Sequence, residues 1–248
     1  MVGLVEQYLL DKIKCAGSIH MTLVDPEKVN PESASCLVKD AESCGTAAIM
    51  VGGSTTDSIS HLDQIVKAIK DSVKIPIILF PNNVTGISKY ADAIWFMSLL
   101  NSSDPYFLAG VQVLGAPIIK KFGLEPLSLG YITVGEGGTV SVVGKATPIP
   151  YDKPDRAVAY ALAAEYFGMR FVYLEAGSGV KTPVPPEIIN AVKTAINIPL
   201  IVGGGIRTGE QVKRIVKAGA DIIVTGNVLE ENKGSHKIKE LIDSMNTP

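Results

Sequence analysis

The sequence predicts a (β/α)8 barrel, in which eight parallel strands, each followed by a helix, close into a cylinder. Short apolar runs rich in β-branched residues recur eight times, as expected of strands buried on both faces of a parallel sheet. Segments with a helical period of apolar residues follow most of these runs. Glycine-rich turns follow the last three runs, and the length of 248 residues is usual for one such domain. An open doubly wound sheet is the structural alternative, and the loops favour the barrel.

The elements follow one another in a regular order. The predicted strands lie in GSIHMTLVDP, AAIMVGGS, PIILFPN, ADAIWFMSLLN, LEPLSLGYITVG, FVYLEAGSG, PLIVGGGI and ADIIVTGNVLEE. The segments between them carry apolar stripes at helical spacing, for example Ile65, Val66, Ile69 and Val73. No boundary interrupts this order, so residues 1–248 are predicted to form one barrel domain.

Two segments depart from the regular pattern. After the third strand, NNVTGISKYADA is too short and too broken by Asn and Gly for a full helix, so the third helix is predicted to be missing or replaced. After the fifth strand, GEGGTVSVVGKATPIPYDKP is expected to form a small hairpin and an irregular loop. Loops of this length often serve as lids or binding loops.

Composition excludes several classes of protein. Apolar residues make up 46% of the chain and charged residues 19%, which fits a globular protein and excludes a disordered one. A net charge of −2 gives no sign of a surface for nucleic acid or an anionic membrane. The N-terminal MVGLVEQYLLDKIK is not expected to act as a signal peptide, and no apolar run is long enough to span a membrane. We therefore expect a cytoplasmic protein, with Cys15, Cys36 and Cys44 as small core residues in a reducing compartment.

The ends of the last three strands predict a phosphate site. In such barrels the active site lies at the carboxyl ends of the strands, and these three ends read EAGSG, GGGI and TGN. Glycines there let backbone N–H groups approach an anion closely, and a following helix N-terminus adds a favourable dipole. Glycines at a single turn would indicate only a tight turn, whereas three consecutive strand ends indicate a binding site. Arg207 follows GGGI and either pairs with the phosphate or faces solvent.

Polar side chains at other strand ends predict a cation site and an acid–base group. Asp25 leaves the first strand before Pro26 and suits a hard cation such as Mg²⁺, although it can equally cap a turn. Ser54 at the neighbouring strand end either supplies a hydroxyl ligand or caps a helix. Glu175 comes directly from a buried strand, where a carboxylate is costly unless it is paired or catalytic. Tyr173, two residues earlier on that strand, points the same way as Glu175, and it is either a residue of the site or part of the hydrophobic core.

The three histidines form no metal-binding cluster. His20 lies within the first strand and is expected to be a hydrogen-bonded wall residue. His61 lies on a helix and His236 in the polar tail, so a zinc site is not predicted.

Seven segments, taken in order, resemble one enzyme family. They are HMTLVDP, MVGGST, LFPN, LLNSSDPYFLAG, YLEAGSG, VGGGIR and TGN. The chain resembles the geranylgeranylglyceryl phosphate synthases of archaea, with the bacterial heptaprenylglyceryl phosphate synthases as close relatives. The resemblance covers essentially the whole chain and looks like the second of the two groups in the family. It implies transfer of a geranylgeranyl group from its diphosphate to the 3-hydroxyl of sn-glycerol 1-phosphate with Mg²⁺, forming the first ether bond of archaeal membrane lipids.

The resemblance also implies roles for individual residues. Asp25 and Ser54 would bind Mg²⁺ with the diphosphate, and Glu175 would be the base or would orient the attacking hydroxyl, with Tyr173 beside it. The residues implied to hold sn-glycerol 1-phosphate are Tyr173, Leu174, Glu175, Ala176, Gly177, Ser178, Gly179, Gly204, Gly205, Gly226 and Asn227. The family's barrel has a replaced third helix, and its members form dimers or larger homo-oligomers. The chain lacks the D-D-x-x-D motif of helical prenyltransferases.

A prenyl chain requires an apolar groove. Candidates are FMSLL and the stretch YFLAGVQVLGAPII, where Gly115 and Pro117 interrupt the helix. Trp95 or Phe96 is expected to limit the chain length, unless Trp95 fills the barrel exterior.

Two other functions are open at the level of sequence. A sugar or indole phosphate isomerase or aldolase needs a strand-end lysine or an acid–base pair, and Lys145 and Lys181 lie in loops. The second alternative is a non-catalytic sensor of phosphorylated ligands, and it assigns no role to Asp25.

Overall fold

Eight parallel strands close into a barrel in chain order, each hydrogen-bonded to the next and the eighth to the first. The computed structural model describes residues 2–53, 58–226 and 234–245. The predicted (β/α)8 barrel is confirmed, and an open sheet is excluded because β1 pairs with β8. The strands are β1 (Ile19–Val24), β2 (Ala48–Val51), β3 (Ile77–Leu79), β4 (Ala93–Leu99), β5 (Glu125–Thr133), β6 (Phe171–Glu175), β7 (Leu200–Gly203) and β8 (Ile222–Thr225).

Helices surround the barrel and also close its amino-terminal end. They are α1 (Leu4–Ala16), α2 (Pro31–Ser43), α3 (Ile59–Lys70), α4 (Val111–Phe122), α5 (Gly138–Val143), α6 (Pro154–Tyr166), α7 (Pro186–Ala195), α8 (Gly209–Lys217) and α9 (Gly234–Met245). Helix α1 precedes the first strand, and its Val5 and Leu9 pack into the barrel interior. The Glu125 carboxylate accepts the Val5 and Glu6 N–H groups at 2.8 Å each and so caps α1. The amino-terminal end is therefore filled, which leaves the carboxyl end for a site.

The third helix is replaced, as the sequence predicts. Between β3 and β4 the chain forms only a short 3₁₀ turn, Val84–Gly86. The outer face of β4 is consequently left without the usual helix beside it.

The hairpin predicted after β5 is wrong, because that segment contains the short helix α5. The hydroxyl residues Thr139 and Ser141 alternate with valines in GTVSVV, as is typical of a strand, but a run of six residues is too short to decide between the two structures. Gly137 and Gly138 adopt φ angles of 69° and 56°, which turn the chain into the helix. Gly144 ends α5.

Alternate residues of each strand point into the barrel. On β4, Trp95 is fully buried in the interior cluster and meets Phe171 edge-on, with ring centroids 5.1 Å apart. The possibility that Trp95 fills the barrel exterior is therefore wrong, because the pleat of the strand sends its neighbour Phe96 outward instead.

His20 is a buried, hydrogen-bonded wall residue, as expected. Its Nδ1 lies 2.7 Å from Thr46 Oγ1, and its Nε2 lies 2.8 Å from Thr225 Oγ1. Burial lowers the pKa of His20 to about 4. The imidazole is therefore neutral at physiological pH.

The cysteines do not fill the core, which contradicts the prediction from sequence. Cys15 and Cys36 are exposed and Cys44 is half-buried, because they fall on the outer parts of α1 and α2 and at the end of α2. Within the described ranges, no helix is long and apolar enough to cross a membrane.

Candidate active site at the carboxyl end of the barrel

Two adjoining cavities open at the carboxyl ends of the strands. The smaller has a volume of about 250 Å³ and the larger about 680 Å³. Both are lined by Leu23, Glu175, Ser178 and Gly226. The shared wall means that a ligand in one cavity lies next to a ligand in the other.

Glycine loops after β6 and β7 form the smaller cavity. Gly177 and Gly179 have φ angles of 115° and 78°, and Gly204 and Gly205 have 85° and 71°, values that residues with side chains rarely adopt. A Cβ atom on Gly204 would lie 2.5 Å from Glu175 Oε1 and 2.6 Å from the Gly177 nitrogen. The loops therefore pack too closely for side chains, and backbone groups form the wall.

Most of the residues implied to bind the acceptor line this smaller cavity. They are Tyr173, Glu175, Gly177, Ser178, Gly179, Gly204, Gly205 and Gly226. Leu174 and Ala176 do not line it, because their side chains point outward into the core between barrel and helices. Asn227 lies outside the described residues.

Two cationic side chains also line the smaller cavity. Arg207, whose orientation the sequence left open, lies on its wall, and so does Lys237 of α9. Lys237 Nζ lies 2.8 Å from Glu240 Oε2. Lys237 was missed because it belongs to a polar C-terminal segment without a motif.

Glu175 is buried and held by hydrogen bonds on both carboxylate oxygens. Oε1 accepts the Gly177 N–H at 2.7 Å, and Oε2 accepts the Tyr131 hydroxyl at 3.3 Å. The Tyr173 hydroxyl also hydrogen-bonds to this carboxylate. Burial raises the pKa of Glu175, and these hydrogen bonds oppose part of that rise. The arrangement provides a fixed carboxyl group that binds a proton more readily than an exposed one.

Three aromatic rings pack together beneath Glu175. Phe80 stacks on Tyr173 with ring centroids 5.7 Å apart, and Tyr131 meets both rings edge-on. Burial raises the pKa of both tyrosines well above the ordinary value, so both hydroxyls stay protonated and can donate to Glu175. Tyr131 was missed from the sequence because it belongs to no motif. Its register partner on β6 is Tyr173, and that pairing is the signal that could have identified it.

Asp25 lies at the end of β1 and lines the larger cavity. Its Oδ1 accepts the Glu27 N–H at 3.1 Å, so it does cap a turn, and Lys28 Nζ lies 3.7 Å from Oδ2. A Cβ atom on Gly53 would lie 2.6 Å from Oδ1, so the absence of a side chain there leaves space at the carboxylate. In the part of the chain that the structure describes, no three His, Cys, Asp or Glu side chains are grouped to hold a metal. Ser54 lies outside the described residues.

The larger cavity continues as an apolar groove along the outer face of β4. The groove exists because the short turn after β3 leaves a gap that a full helix would fill. Its apolar walls are formed by Phe80, Ile87, Ile94, Phe96, Phe107, Val111, Gly115, Ile119, Val140 and Val143. Trp95 also borders the cavity from the barrel interior.

A closed parallel barrel with a glycine-lined cavity and an apolar groove defines a class: a TIM-barrel protein built for a phosphorylated ligand beside an apolar one. The model of the PcrB family matches residues 11–245, so the chain belongs to the PcrB family. The predicted family resemblance is confirmed.

Relatives are similar over nearly the whole chain. The geranylgeranylglyceryl phosphate synthase of Thermofilum pendens is 55% identical, over 98% of this chain and 93% of that protein. The protein of the same name from Pyrococcus abyssi is 52% identical, over 98% of this chain and 97% of its own length.

Solved structures agree with the sequence relatives. The crystal structure of (S)-3-O-geranylgeranylglyceryl phosphate synthase from Thermoplasma acidophilum, in complex with its substrate sn-glycerol 1-phosphate, superposes with a TM-score of 0.94, 40% identity and 99% coverage of both chains. The wild-type GGGPS from Thermoplasma volcanium gives a TM-score of 0.94 and 44% identity, covering 98% of this chain and 97% of that one.

Proposed function

We propose that the protein is a prenyltransferase that joins a geranylgeranyl group from its diphosphate to the 3-hydroxyl of sn-glycerol 1-phosphate, the first ether bond of archaeal membrane lipids. The observation that carries this proposal is the position of Glu175. Its buried carboxyl group lies on the wall shared by a glycine-lined cavity and an apolar groove. Relatives of the same name and the sn-glycerol 1-phosphate complex of the Thermoplasma acidophilum enzyme support it.

The smaller cavity binds the acceptor. Backbone N–H groups of the loops at Gly179, Gly204 and Gly205 bind its phosphate, and Arg207 supplies a positive charge. Gly177 lines the same cavity, and its N–H donates to Glu175. A cavity of about 250 Å³ suits a small polar molecule and not a prenyl chain. Gly226 at the end of β8 and Asn227, which follows it in the sequence, complete the phosphate site.

The larger cavity binds the donor, with the prenyl chain in the apolar groove and the diphosphate toward Asp25. Asp25 and Ser54 would hold Mg²⁺ together with the diphosphate. The fit is chemically reasonable because Mg²⁺ uses few protein ligands, and Gly53 leaves space at the Asp25 carboxylate. Bound there, Mg²⁺ would supply positive charge to the diphosphate leaving group.

Glu175 handles the proton of the acceptor hydroxyl. The bond between the hydroxyl oxygen and the first prenyl carbon forms while the bond from that carbon to the diphosphate breaks, and the hydroxyl proton passes to Glu175. Tyr131 and Tyr173 hold the carboxylate in place. The two adjoining cavities bring the hydroxyl and the allylic carbon together, which replaces a bimolecular encounter by a positioned reaction.

The test is incubation with sn-glycerol 1-phosphate, labelled geranylgeranyl diphosphate and Mg²⁺, with extraction of labelled ether lipid. We expect product with sn-glycerol 1-phosphate and much less with its enantiomer. Asp25→Ala should weaken diphosphate binding and abolish its dependence on Mg²⁺. Absence of ether product, together with diphosphate binding that Asp25→Ala leaves unchanged, would refute the proposal.

The protein also assembles as a homo-oligomer, a dimer or larger, in this proposal. Light scattering coupled to size-exclusion chromatography measures the mass directly. A measured mass of one chain at all concentrations used in the assay would contradict the proposed homo-oligomer.

A further inference from the structure

Helix α5 begins in backbone contact with the loop that follows β6. A Cβ atom on Gly138 would lie 2.9 Å from Gly177 Cα and 3.0 Å from the Ser178 nitrogen. In the reverse direction, a Cβ atom on Gly177 would lie 2.5 Å from the Gly138 nitrogen. These neighbours are backbone atoms, so no side-chain rotation could relieve such a contact. The two segments therefore pack directly against each other because both lack side chains at this point.

The loop segment that Gly138 contacts is the one that donates to the candidate base. The Gly177 N–H donates to Glu175 Oε1 at 2.7 Å. The same segment also meets the loop after β7, where a Cβ atom on Gly204 would lie 2.6 Å from the Gly177 nitrogen. The donor N–H is therefore enclosed between two backbones, and it has little room to move without losing its geometry on Glu175.

The backbone angle accounts for only part of the requirement for glycine at position 138. Its φ of 56° favours glycine, although asparagine and aspartate also adopt such angles. The contact with Gly177 excludes these residues too, because it leaves no space even for a Cβ atom. Position 138 is therefore constrained by the loop that it faces as well as by the turn that it forms.

We infer that Gly138 is a positioning residue for Glu175, because its close packing against the loop after β6 keeps the Gly177 N–H on the carboxylate. This inference rests on the proposed function, in which Glu175 accepts the proton of the acceptor hydroxyl. A side chain at position 138 displaces the backbone of Gly177, so the hydrogen bond to Oε1 weakens. The ionised carboxylate then loses part of its stabilisation, and the pKa of Glu175 rises further.

The acid side of a pH profile reports on Glu175 in this site. The titratable groups described as interacting with it are Tyr131, Tyr173 and Tyr151. Burial is the largest cause that raises the pKa of each of these tyrosines above the ordinary value of 10.0. All three hydroxyls therefore stay protonated in the acid range, and a shift of the acid limb between variants reflects the carboxylate.

The test measures kcat/KM for sn-glycerol 1-phosphate as a function of pH, at a saturating concentration of geranylgeranyl diphosphate. For Gly138→Ala we expect the acid limb to move to higher pH by about one unit, as the weakening of a hydrogen bond to a charged group should cause. Titration of the acceptor's own phosphate affects every variant alike, so it cancels in the comparison with the wild-type protein.

Gly123→Ala is the matched control for backbone strain. Gly123 ends α4 with a φ of 69°, and a Cβ atom there would meet nothing within 4 Å. The substitution therefore introduces a strained backbone angle without a contact, and it should lower stability while leaving the acid limb in place. Urea unfolding of both variants establishes that each is folded. An acid limb of folded Gly138→Ala that coincides with that of the wild-type protein would overturn the inference.

A second pair of variants loosens α5 without adding atoms or backbone strain. Val140 packs against the interior of the barrel, whereas Val142 is 80% exposed. Val140→Ala should move the acid limb in the same direction as Gly138→Ala by a smaller amount, and Val142→Ala should leave it unmoved. If Gly138→Ala does not fold, an unmoved acid limb in Val140→Ala overturns the inference. A wild-type protein that transfers no prenyl group would instead refute the proposed function.

Discussion

Both oxygens of the Glu175 carboxylate accept hydrogen bonds, and the donors come from different parts of the chain. The Gly177 N–H belongs to the loop that follows β6, while the Tyr131 hydroxyl reaches across from β5. Hydrogen bonds to a charged carboxylate favour its ionised form, while burial favours the protonated form. The balance leaves the pKa of Glu175 raised, so the acid–base properties of this group depend directly on the tyrosines.

Tyr131→Phe should raise the pKa of Glu175 further, because it removes a donor to the ionised form and leaves the ring in place. A base works when ionised, so activity is present above the pKa of Glu175 and is lost as pH falls through it. We expect the acid limb of the kcat/KM profile to move to higher pH, with about a 10-fold loss at neutral pH. Tyr8→Phe, whose hydroxyl bonds to the Ala47 carbonyl oxygen at the other end of the barrel, is the control. An unmoved acid limb in Tyr131→Phe would show that the hydroxyl does not act on Glu175.

His20 should make the folded protein sensitive to mild acid. Its pKa is about 4 in the folded state and about 6.5 when unfolded, so the unfolded chain alone binds a proton between these values. Stability is independent of this group above pH 6.5 and falls as pH drops from 6.5 toward 4, by about 3 kcal/mol in total. Urea unfolding at pH 7 and pH 5 measures it. His20→Gln should remove about 2 kcal/mol of the loss between those two pH values, and an equal loss in both proteins contradicts the assignment.

At the scale of elements, the N-terminus of α8 connects helix stability to the smaller cavity. Thr208 and Gln211 form a capping box, and the Gln211 side chain also accepts the Arg207 N–H at 2.7 Å. Arg207 in turn lines the cavity. The same box that begins the helix therefore fixes the backbone of a residue at the candidate phosphate site.

Thr208→Ala should lower the free energy of unfolding by about 1 kcal/mol and raise the KM for sn-glycerol 1-phosphate, because the cap and the cavity wall loosen together. Asn30→Ala removes a comparable capping box at α2, away from that cavity. It should cost similar stability and leave the KM for the acceptor unchanged. Calorimetry and steady-state kinetics on the two variants provide the comparison. If Thr208→Ala and Asn30→Ala had the same KM for sn-glycerol 1-phosphate, the α8 cap would serve stability only.

Sequence patterns predicted these elements unequally well. The strands could be predicted because continuous apolar runs are typical of strands buried on both faces. The broken segment NNVTGISKYADA correctly indicated a replaced helix. Helix α5 was not readable, because six residues between glycines carry too little periodicity to separate helix from strand. The direction of Trp95 could not be predicted either, since a continuously apolar strand does not reveal which face is interior.

At the candidate site, the sequence predicted what is local and missed what is distant. The glycine loops and Glu175 are contiguous motifs and were found. Tyr131 reaches the larger cavity because β5 pairs with β6, and Lys237 reaches the smaller one because α9 packs against α8 and α2. Neither residue lies in a recognisable motif. Such residues become visible only when the register of neighbouring strands and the helix packing are known.

For the whole molecule, the barrel separates stability and activity between its two ends. The amino-terminal end is closed by α1. Glu125 caps this helix, and an ion pair between Glu6 and Arg170 joins it to the start of β6. The carboxyl end carries the glycine loops after β6 and β7, the buried Glu175 and both cavities. The charged groups Glu6, Glu125 and Arg170 at the first end are paired or cap a helix, whereas Glu175 at the second end is buried without a cationic partner in contact among the described residues, which costs stability.

Two substitutions at opposite ends should therefore have opposite effects. Glu125→Ala removes two hydrogen bonds to the N-terminus of α1 and should lower the free energy of unfolding by about 2 kcal/mol, with kcat/KM unchanged at temperatures where the protein stays folded. Glu175→Gln removes a buried carboxylate, so it should abolish prenyl transfer while leaving the unfolding free energy equal or higher at neutral pH. Urea unfolding and the ether-lipid assay on both variants give four measurements. Loss of stability in Glu175→Gln as large as that in Glu125→Ala would show that Glu175 is a structural carboxylate, and loss of activity in folded Glu125→Ala would show that the two ends are coupled.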